Sequence, residues 1–230
     1  MFTRQKVAAL VGELLGAGVL TLLILSVQRS TIGVPFFVAI AAGLAVTLMS
    51  FAVGESSGGH FNPAITIGFW TARRISTARA ILYVAAQLLG AWFAYSLYTY
   101  FVNNTLQQVG GHYSGRILAA EAVGTGIFGF AFAAAVYQRF SRPVIASFCG
   151  LGLMIGIVAA SSASLGLLNP AVALGTRAWV WGTYVLGPVL GAIIGINLYA
   201  LLFTNSGVKN LAAAVGASGS GKKTAKKNKK

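Results

Sequence analysis

Long apolar runs separated by short polar connectors dominate the 230-residue chain. A helix that crosses a bilayer needs about 20 mainly apolar residues, and six runs are long enough. These predicted spans cover residues 7–27, 34–53, 80–102, 117–138, 143–161 and 182–204. The first run is longer than the apolar core of a signal peptide, and no small-residue cleavage pattern follows it, so we expect it to be retained. The pattern predicts a membrane protein with six transmembrane helices.

Two of the connectors are also apolar, although they are too short to cross a bilayer. They cover residues 61–72 and 165–176, and each contains the tripeptide Asn-Pro-Ala. Asparagine is a good helix N-cap, and proline fits the first helical position, where its missing N–H costs nothing. Irregular backbone is tolerated at membrane depth where protein or a watery cavity satisfies its polar groups. Each connector is therefore predicted to form a half-helix, capped by Asn62 or Asn169, rather than an exposed turn.

The two halves of the chain repeat the same motifs in the same order. The matching pairs are Glu13-Leu-Leu-Gly16 with Glu121-Ala-Val-Gly124, Asn62-Pro63-Ala64 with Asn169-Pro170-Ala171, and Tyr83 with Tyr184. Three predicted spans lie between the two tripeptides, so the half-helices enter the membrane from opposite faces. The repeat is then inverted, over about 7–102 and 117–204. In such proteins, paired broken helices meet near the midplane and form the transport site.

Composition narrows the class further. Only 9% of the residues are charged and 57% are hydrophobic, whereas soluble domains carry about 25% charged residues. The single cysteine, Cys149, excludes a disulfide framework. The sequence contains no phosphate-binding loop, nucleophile–base pair or metal-ligand cluster, so we expect neither an enzyme nor a bound metal or cofactor.

The basic residues predict the orientation, because cytoplasmic loops retain Lys and Arg. Placing both termini in the cytoplasm puts 14 of the 17 basic residues there, and leaves only Arg29, Arg116 and Arg177 outside. Seven of the 14 are lysines of the segment 209–230, which follows the predicted membrane domain 1–208. We expect this segment to be a disordered cytoplasmic tail; the alternative is that it binds anionic lipid.

The motifs around the tripeptides resemble those of the major intrinsic protein superfamily, the aquaporins and glycerol facilitators. Ser57-Gly-Gly-His60-Phe-Asn62-Pro-Ala looks like the family's first signature, and the repeated glutamate and Leu-Gly-Ala motifs extend the resemblance over residues 7–204. The resemblance implies an all-helical aquaporin-like fold, six transmembrane helices with two half-helices joined head to head. It also implies a homotetramer in the plasma membrane with one pore per subunit, passing water or small neutral solutes.

The resemblance also implies roles for individual residues. Asn62 and Asn169 would each direct an amide into the lumen and donate a hydrogen bond to a passing oxygen. The positive ends of the two half-helices would repel cations and interrupt proton transfer. Glu13 and Glu121 would brace the inserted loops by accepting backbone hydrogen bonds, and His60 would brace the first of them. The alternative for the two glutamates is a proton relay.

The sequence departs from the family pattern at the selectivity filter. Where most members have an arginine after the second tripeptide, this chain has Val172. The other filter positions implied by the resemblance are Ala42, Ile157 and Gly166, so we expect a wide, apolar constriction. Arg177 lies five residues further along; we expect it at the outer mouth, with replacement of the missing arginine as the alternative.

These observations predict a passive channel for water and small uncharged solutes such as glycerol. Two other classes stay open from the sequence. An ion- or proton-coupled transporter shares inverted repeats with broken helices, and Glu13 and Glu121 are its only candidate relay residues. A non-conducting membrane scaffold would explain the absence of the filter arginine.

Overall fold

The computed structural model describes residues 3–31 and 33–205, and the regular structure within these ranges is entirely helical. Eight α-helices follow one another: α1 (Arg4–Gln28), α2 (Pro35–Ser57), α3 (Pro63–Thr71), α4 (Thr77–Val102), α5 (Gly115–Tyr137), α6 (Arg142–Ala160), α7 (Pro170–Gly175) and α8 (Leu186–Leu202). A π-helical turn, Trp181–Val185, leads directly into α8. The predicted tail, residues 209–230, lies outside the described residues.

Six of these elements are long and apolar enough to cross a membrane, as predicted: α1, α2, α4, α5, α6, and α8 together with its π-helical turn. The predicted boundaries differ from the observed ones by up to four residues. The largest difference is at the end of α2, which continues past the apolar run to Ser57. Backbone hydrogen bonding does not stop where hydropathy falls, and the helix ends only at Gly58, whose φ of 96° is left-handed.

The inverted repeat is visible in the packing, since the main helix pairs of the first half have counterparts in the second. Helix α1 packs against α4 as α5 packs against α8, and α1 packs against α2 as α5 packs against α6. Both central crossings depend on a glycine. A Cβ on Gly90 would overlap the carbonyl oxygen of Leu14, and one on Gly191 would overlap that of Ala122. These glycines let the backbones touch, which is how small residues hold membrane helices together.

Large apolar side chains cover the outside of the bundle. Leu44, Ile81 and Ile194 each expose more than 60% of their surface, which suits contact with lipid tails. Below, the proximal face is the one at which α1 begins, and the distal face is the one at which α1 ends. Because the spans alternate in direction, α3 enters the bundle from the proximal face and α7 from the distal face.

Candidate pore

The two half-helices begin at the prolines that follow Asn62 and Asn169. The side-chain oxygen of Asn62 accepts a hydrogen bond from the N–H of Ala64, at 2.8 Å. That of Asn169 accepts from Ala171 at 2.9 Å and from Val172 at 3.4 Å. Each asparagine therefore caps its helix with the free N–H groups of the first turn, as the sequence predicts.

The same two asparagines join the half-helices to each other. The amide nitrogen of Asn62 donates to the carbonyl oxygen of Leu168, at 2.8 Å. That of Asn169 donates to the carbonyl oxygen of Phe61, at 2.9 Å. Phe61 and Leu168 both have left-handed backbones, with φ of 50° and 51°, which turns these carbonyls toward the opposite loop. The N-termini of α3 and α7 therefore meet head to head.

This joint adds to the sequence-based interpretation. The amides of Asn62 and Asn169 were expected to donate to a passing molecule, and each gives one of its two hydrogens to the opposite loop. Both residues are buried, with 2% and 0% of their surface exposed. The crossed bonds join residues 106 and 108 positions apart, which no local pattern in the sequence reveals.

Glu13 holds the first inserted loop from within α1. One carboxylate oxygen accepts the backbone N–H of His60 at 3.0 Å, and the other accepts that of Phe61 at 2.7 Å. The second oxygen also accepts a hydrogen bond from the side-chain amide of Gln87, at 2.7 Å. Glu13 exposes 0% of its surface, so these charge-assisted hydrogen bonds replace the water that the carboxylate has lost.

Glu121 makes the equivalent contacts in the second half. Its carboxylate oxygens accept the backbone N–H groups of Leu167 at 3.0 Å and of Leu168 at 2.7 Å. Its exposed fraction is also 0%. Both glutamates therefore lie where the bracing role needs them, each fixing the two residues that precede the capping asparagine.

His60 carries a polar network that exists in the first half alone. Its Nδ1 lies 3.1 Å from the hydroxyl of Thr66, which in turn accepts a hydrogen bond from Gln87 at 2.9 Å. The corresponding residues of the second half are Leu167, Ala173 and Pro188. Sequence reasoning missed Gln87 and Thr66, although a lone glutamine inside an apolar span was the available signal.

The imidazole of His60 lies at the proximal mouth of the pore. It borders a cavity of about 190 Å³, stacks on Phe69 at 5.2 Å between ring centroids, and meets the ring of Phe132 edge-on at 6.0 Å.

The predicted filter positions are all buried. Ala42, Ile157 and Val172 each expose 0% of their surface and belong to one apolar cluster that runs through the bundle. Gly166 is buried as well; a Cβ there would lie 3.1 Å from Ile157, so these two positions are in contact. The apolar character of these positions agrees with the expectation, and the width of the constriction stays a prediction.

Arg177 follows the end of α7. Its side chain is exposed, and its guanidinium carbon lies 5.9 Å from the centroid of the Tyr95 ring. Its carbonyl oxygen accepts a hydrogen bond from the N–H of Val109 in the connector after α4, at 2.8 Å. These contacts place Arg177 toward the distal face of the bundle, and its part in the filter stays a prediction.

Six spans, an inverted repeat and two half-helices joined at capping asparagines define a membrane channel of the aquaporin type. The family model for the major intrinsic protein matches residues 2–203, and the chain belongs to this family. Proteins of this family are channels rather than enzymes.

Individual relatives agree with this assignment. Aquaporin Z of Photorhabdus laumondii is 31% identical over 229 residues, an alignment that covers 86% of this chain and 97% of the relative. Aquaporin NIP1-1 of Zea mays is 32% identical over 196 residues, which cover 76% of this chain and 66% of the relative. The chain thus spans just under two thirds of the length of the maize protein.

Among solved structures, the fold matches that of the aquaglyceroporin from Plasmodium falciparum. The TM-score is 0.70, and the match covers 86% of this chain and 96% of that chain, at 22% sequence identity. At this identity, the likeness supports the fold alone.

Proposed function

We propose that the protein is a passive channel for water and small uncharged solutes such as glycerol. The head-to-head joint of α3 and α7 carries this proposal, because it brings two helix N-termini and two side-chain amides to one point inside the bundle. Membership of the major intrinsic protein family supports it, as do the relatives named as aquaporins. We further propose a homotetramer in the plasma membrane with the proximal face in the cytoplasm, as the excess of basic residues there favours.

The proposed mechanism follows from the charges at the joint. Each half-helix carries about half a positive charge at its N-terminus, and both termini meet there, so a cation is repelled. The second amide hydrogens of Asn62 and Asn169 would both be donated to the oxygen of the same permeating molecule. Two donors on one oxygen turn its own hydrogens away from the joint, which breaks the chain of hydrogen bonds that protons need.

The apolar filter would control entry from the distal side. Ala42, Ile157 and Val172 offer no side-chain donor or acceptor, so water at this level loses hydrogen bonds. Hydrophobic constrictions of this kind gate by drying, and the burial of these three residues supports a dry resting state. Thermal motion of the aliphatic side chains would open it to small neutral molecules.

Bracing is the role that we propose for Glu13 and Glu121, in preference to a proton relay. Both carboxylates accept two backbone N–H groups of an inserted loop, and a relay would have to break these bonds at each step. A coupled transporter is therefore less well supported than a channel.

Stopped-flow light scattering of proteoliposomes after a hyperosmotic glycerol step tests the proposal. We expect faster shrinkage than in protein-free liposomes, followed by re-swelling as glycerol enters. Fast shrinkage with slow re-swelling would restrict the permeant to water. Traces that match protein-free liposomes would overturn the channel and favour the scaffold, and a flux that depends on a proton gradient would favour the transporter.

Asn169→Asp should reduce water permeability by about tenfold or more. A carboxylate cannot donate to the carbonyl oxygen of Phe61, so the joint loses a buried hydrogen bond. It gains instead a repulsion between the carboxylate and that carbonyl oxygen. Together these two changes are worth at least about 1.4 kcal/mol, or one factor of ten. The measurement is the shrinkage rate per reconstituted protein.

Asn104→Asp is the matched control, since Asn104 is exposed in the connector after α4. Its permeability should equal that of the unmodified protein. If Asn169→Asp also conducts normally and still excludes protons, the joint is not on the pathway.

A further inference from the structure

A second cavity, of about 580 Å³, opens on the proximal face beside the pore. It lies between the first turns of α1 and α4, with Ser56 at the end of α2 completing its wall. Lys6 and Arg79 supply two positive charges, and Thr3 and Ser76 supply further hydroxyl groups. The residues that line it include no acid. Because both helices begin here, the cavity lies at the level of the lipid headgroups.

Among the described residues, no side-chain carboxylate neutralises the two cations of this cavity. The chain contains only three acidic residues. Glu13 and Glu121 are buried against the inserted loops, and Glu55 pairs with Arg142 at 3.1 Å. Within residues 3–31 and 33–205, therefore, no side-chain carboxylate pairs with either cation. An anion that reached the cavity would meet two uncompensated charges and several hydroxyl donors.

This cavity adjoins the pore mouth through one shared residue, Arg79. Arg79 borders both the 580 Å³ cavity and the 190 Å³ cavity that contains His60. Tyr83, which lines the larger cavity, lies edge-on to the ring of His60 at 5.7 Å between centroids. A ligand that draws the guanidinium of Arg79 outward would therefore remove it from the wall of the pore mouth.

We infer that the 580 Å³ cavity binds a phosphate-bearing anion and that its occupancy opens the pore mouth through Arg79. A guanidinium matches phosphate with two parallel hydrogen bonds, an ammonium adds a point charge, and hydroxyl groups satisfy the remaining oxygens. The phosphate can come from the headgroup of an anionic phospholipid or from a free anion. Binding stands independently of the proposed channel activity, whereas the coupling to the pore rests on it.

Calorimetric titration of the purified full chain in neutral detergent tests the binding. The probes are a short-chain phosphatidylglycerol and inorganic phosphate. We expect Lys6→Gln and Arg79→Gln each to weaken binding by about tenfold, the usual cost of one charge-assisted contact. Arg29→Gln, at the other end of α1, is the matched control and should bind like the unmodified protein. Retention of the helical circular dichroism spectrum shows that each variant is folded.

The two probes distinguish the source of the phosphate. Binding of both supports a site that recognises the phosphate group itself, and binding of the phospholipid alone supports a headgroup site. If neither probe binds saturably, or if Lys6→Gln and Arg79→Gln bind as tightly as Arg29→Gln, the site does not exist.

Reconstitution tests the coupling. Water permeability should rise about fivefold, at the lower end of ordinary coupling between two sites, when phosphatidylglycerol is added to phosphatidylcholine liposomes. The rise should persist in Arg29→Gln and vanish in Arg79→Gln. Binding without any such rise would overturn the coupling. Absence of water flux in every liposome would overturn the proposed channel instead, and the calorimetric result would still decide the site.

Discussion

Glu121→Ala should lower the free energy of unfolding by about 2–6 kcal/mol, because two buried backbone N–H groups lose their acceptor at about 1–3 kcal/mol each. These groups belong to Leu167 and Leu168, and alanine offers them no replacement. The loop before Asn169 would then lose the position that directs α7 toward α3. Cys149, the only cysteine of the chain and 1% exposed, provides the measurement, since a thiol-reactive dye labels it only when the bundle opens.

Glu55→Ala is the matched control for this experiment. Glu55 pairs with Arg142 across two side chains that expose 79% and 63% of their surface, and exposed ion pairs contribute about 0–1 kcal/mol. The midpoint of thermal unfolding of Glu55→Ala should therefore stay close to that of the unmodified protein. Glu121→Gln keeps one acceptor oxygen, so its midpoint should lie between those of Glu121→Ala and Glu55→Ala. Equal midpoints for Glu121→Ala and Glu55→Ala would contradict the bracing role.

The elements that the sequence predicts well are those that depend on neighbouring residues. A span is recognisable because about 20 consecutive residues share one property. A half-helix is recognisable because its cap, as in Asn62 with Ala64, joins residues two positions apart. Entry of the half-helices from opposite faces also follows from counting spans, whereas their head-to-head arrangement was implied by the family resemblance.

Contacts between distant segments were not predictable in this way. The hydrogen bond from Asn62 to Leu168 forms only after both loops have docked, and the left-handed backbone of Leu168 that permits it has no marker in the sequence, since leucine rarely adopts it. The network of Gln87 and Thr66 was missed for the same reason. It joins α4 to α3 through side chains whose spacing along the chain is not periodic.

The burial of the filter positions was not predictable for a different reason. Counting small residues at Ala42 and Gly166 considers four positions in isolation, whereas burial is decided by the surrounding side chains. In the folded bundle, Ala42, Ile157 and Val172 each expose 0% of their surface. Protein interiors are packed closely, so small residues leave a gap only where their neighbours cannot fill it.

Val172→Arg should lower the ratio of glycerol to water permeability by about tenfold, a discrimination typical of one added group in a binding pocket. Val172 is fully buried next to the cap of α7, where its N–H lies 3.4 Å from the side-chain oxygen of Asn169. A guanidinium at this position has to extend along the lumen to reach water. It would hold the aliphatic side chains apart for single water molecules, supply donors for them, and occupy the space that a three-carbon solute needs.

The matched variant Val172→Leu separates size from polarity, because it adds bulk without a donor. Both permeabilities should fall in Val172→Leu, whereas water permeability should be kept or raised in Val172→Arg. Shrinkage and re-swelling rates of the same proteoliposomes give the two values. An equal loss of water flux in both variants would mean that only the volume of the side chain at position 172 affects water permeability. Unchanged ratios in both would place Val172 outside the pathway, and the arginine of related channels would then have no counterpart at this position.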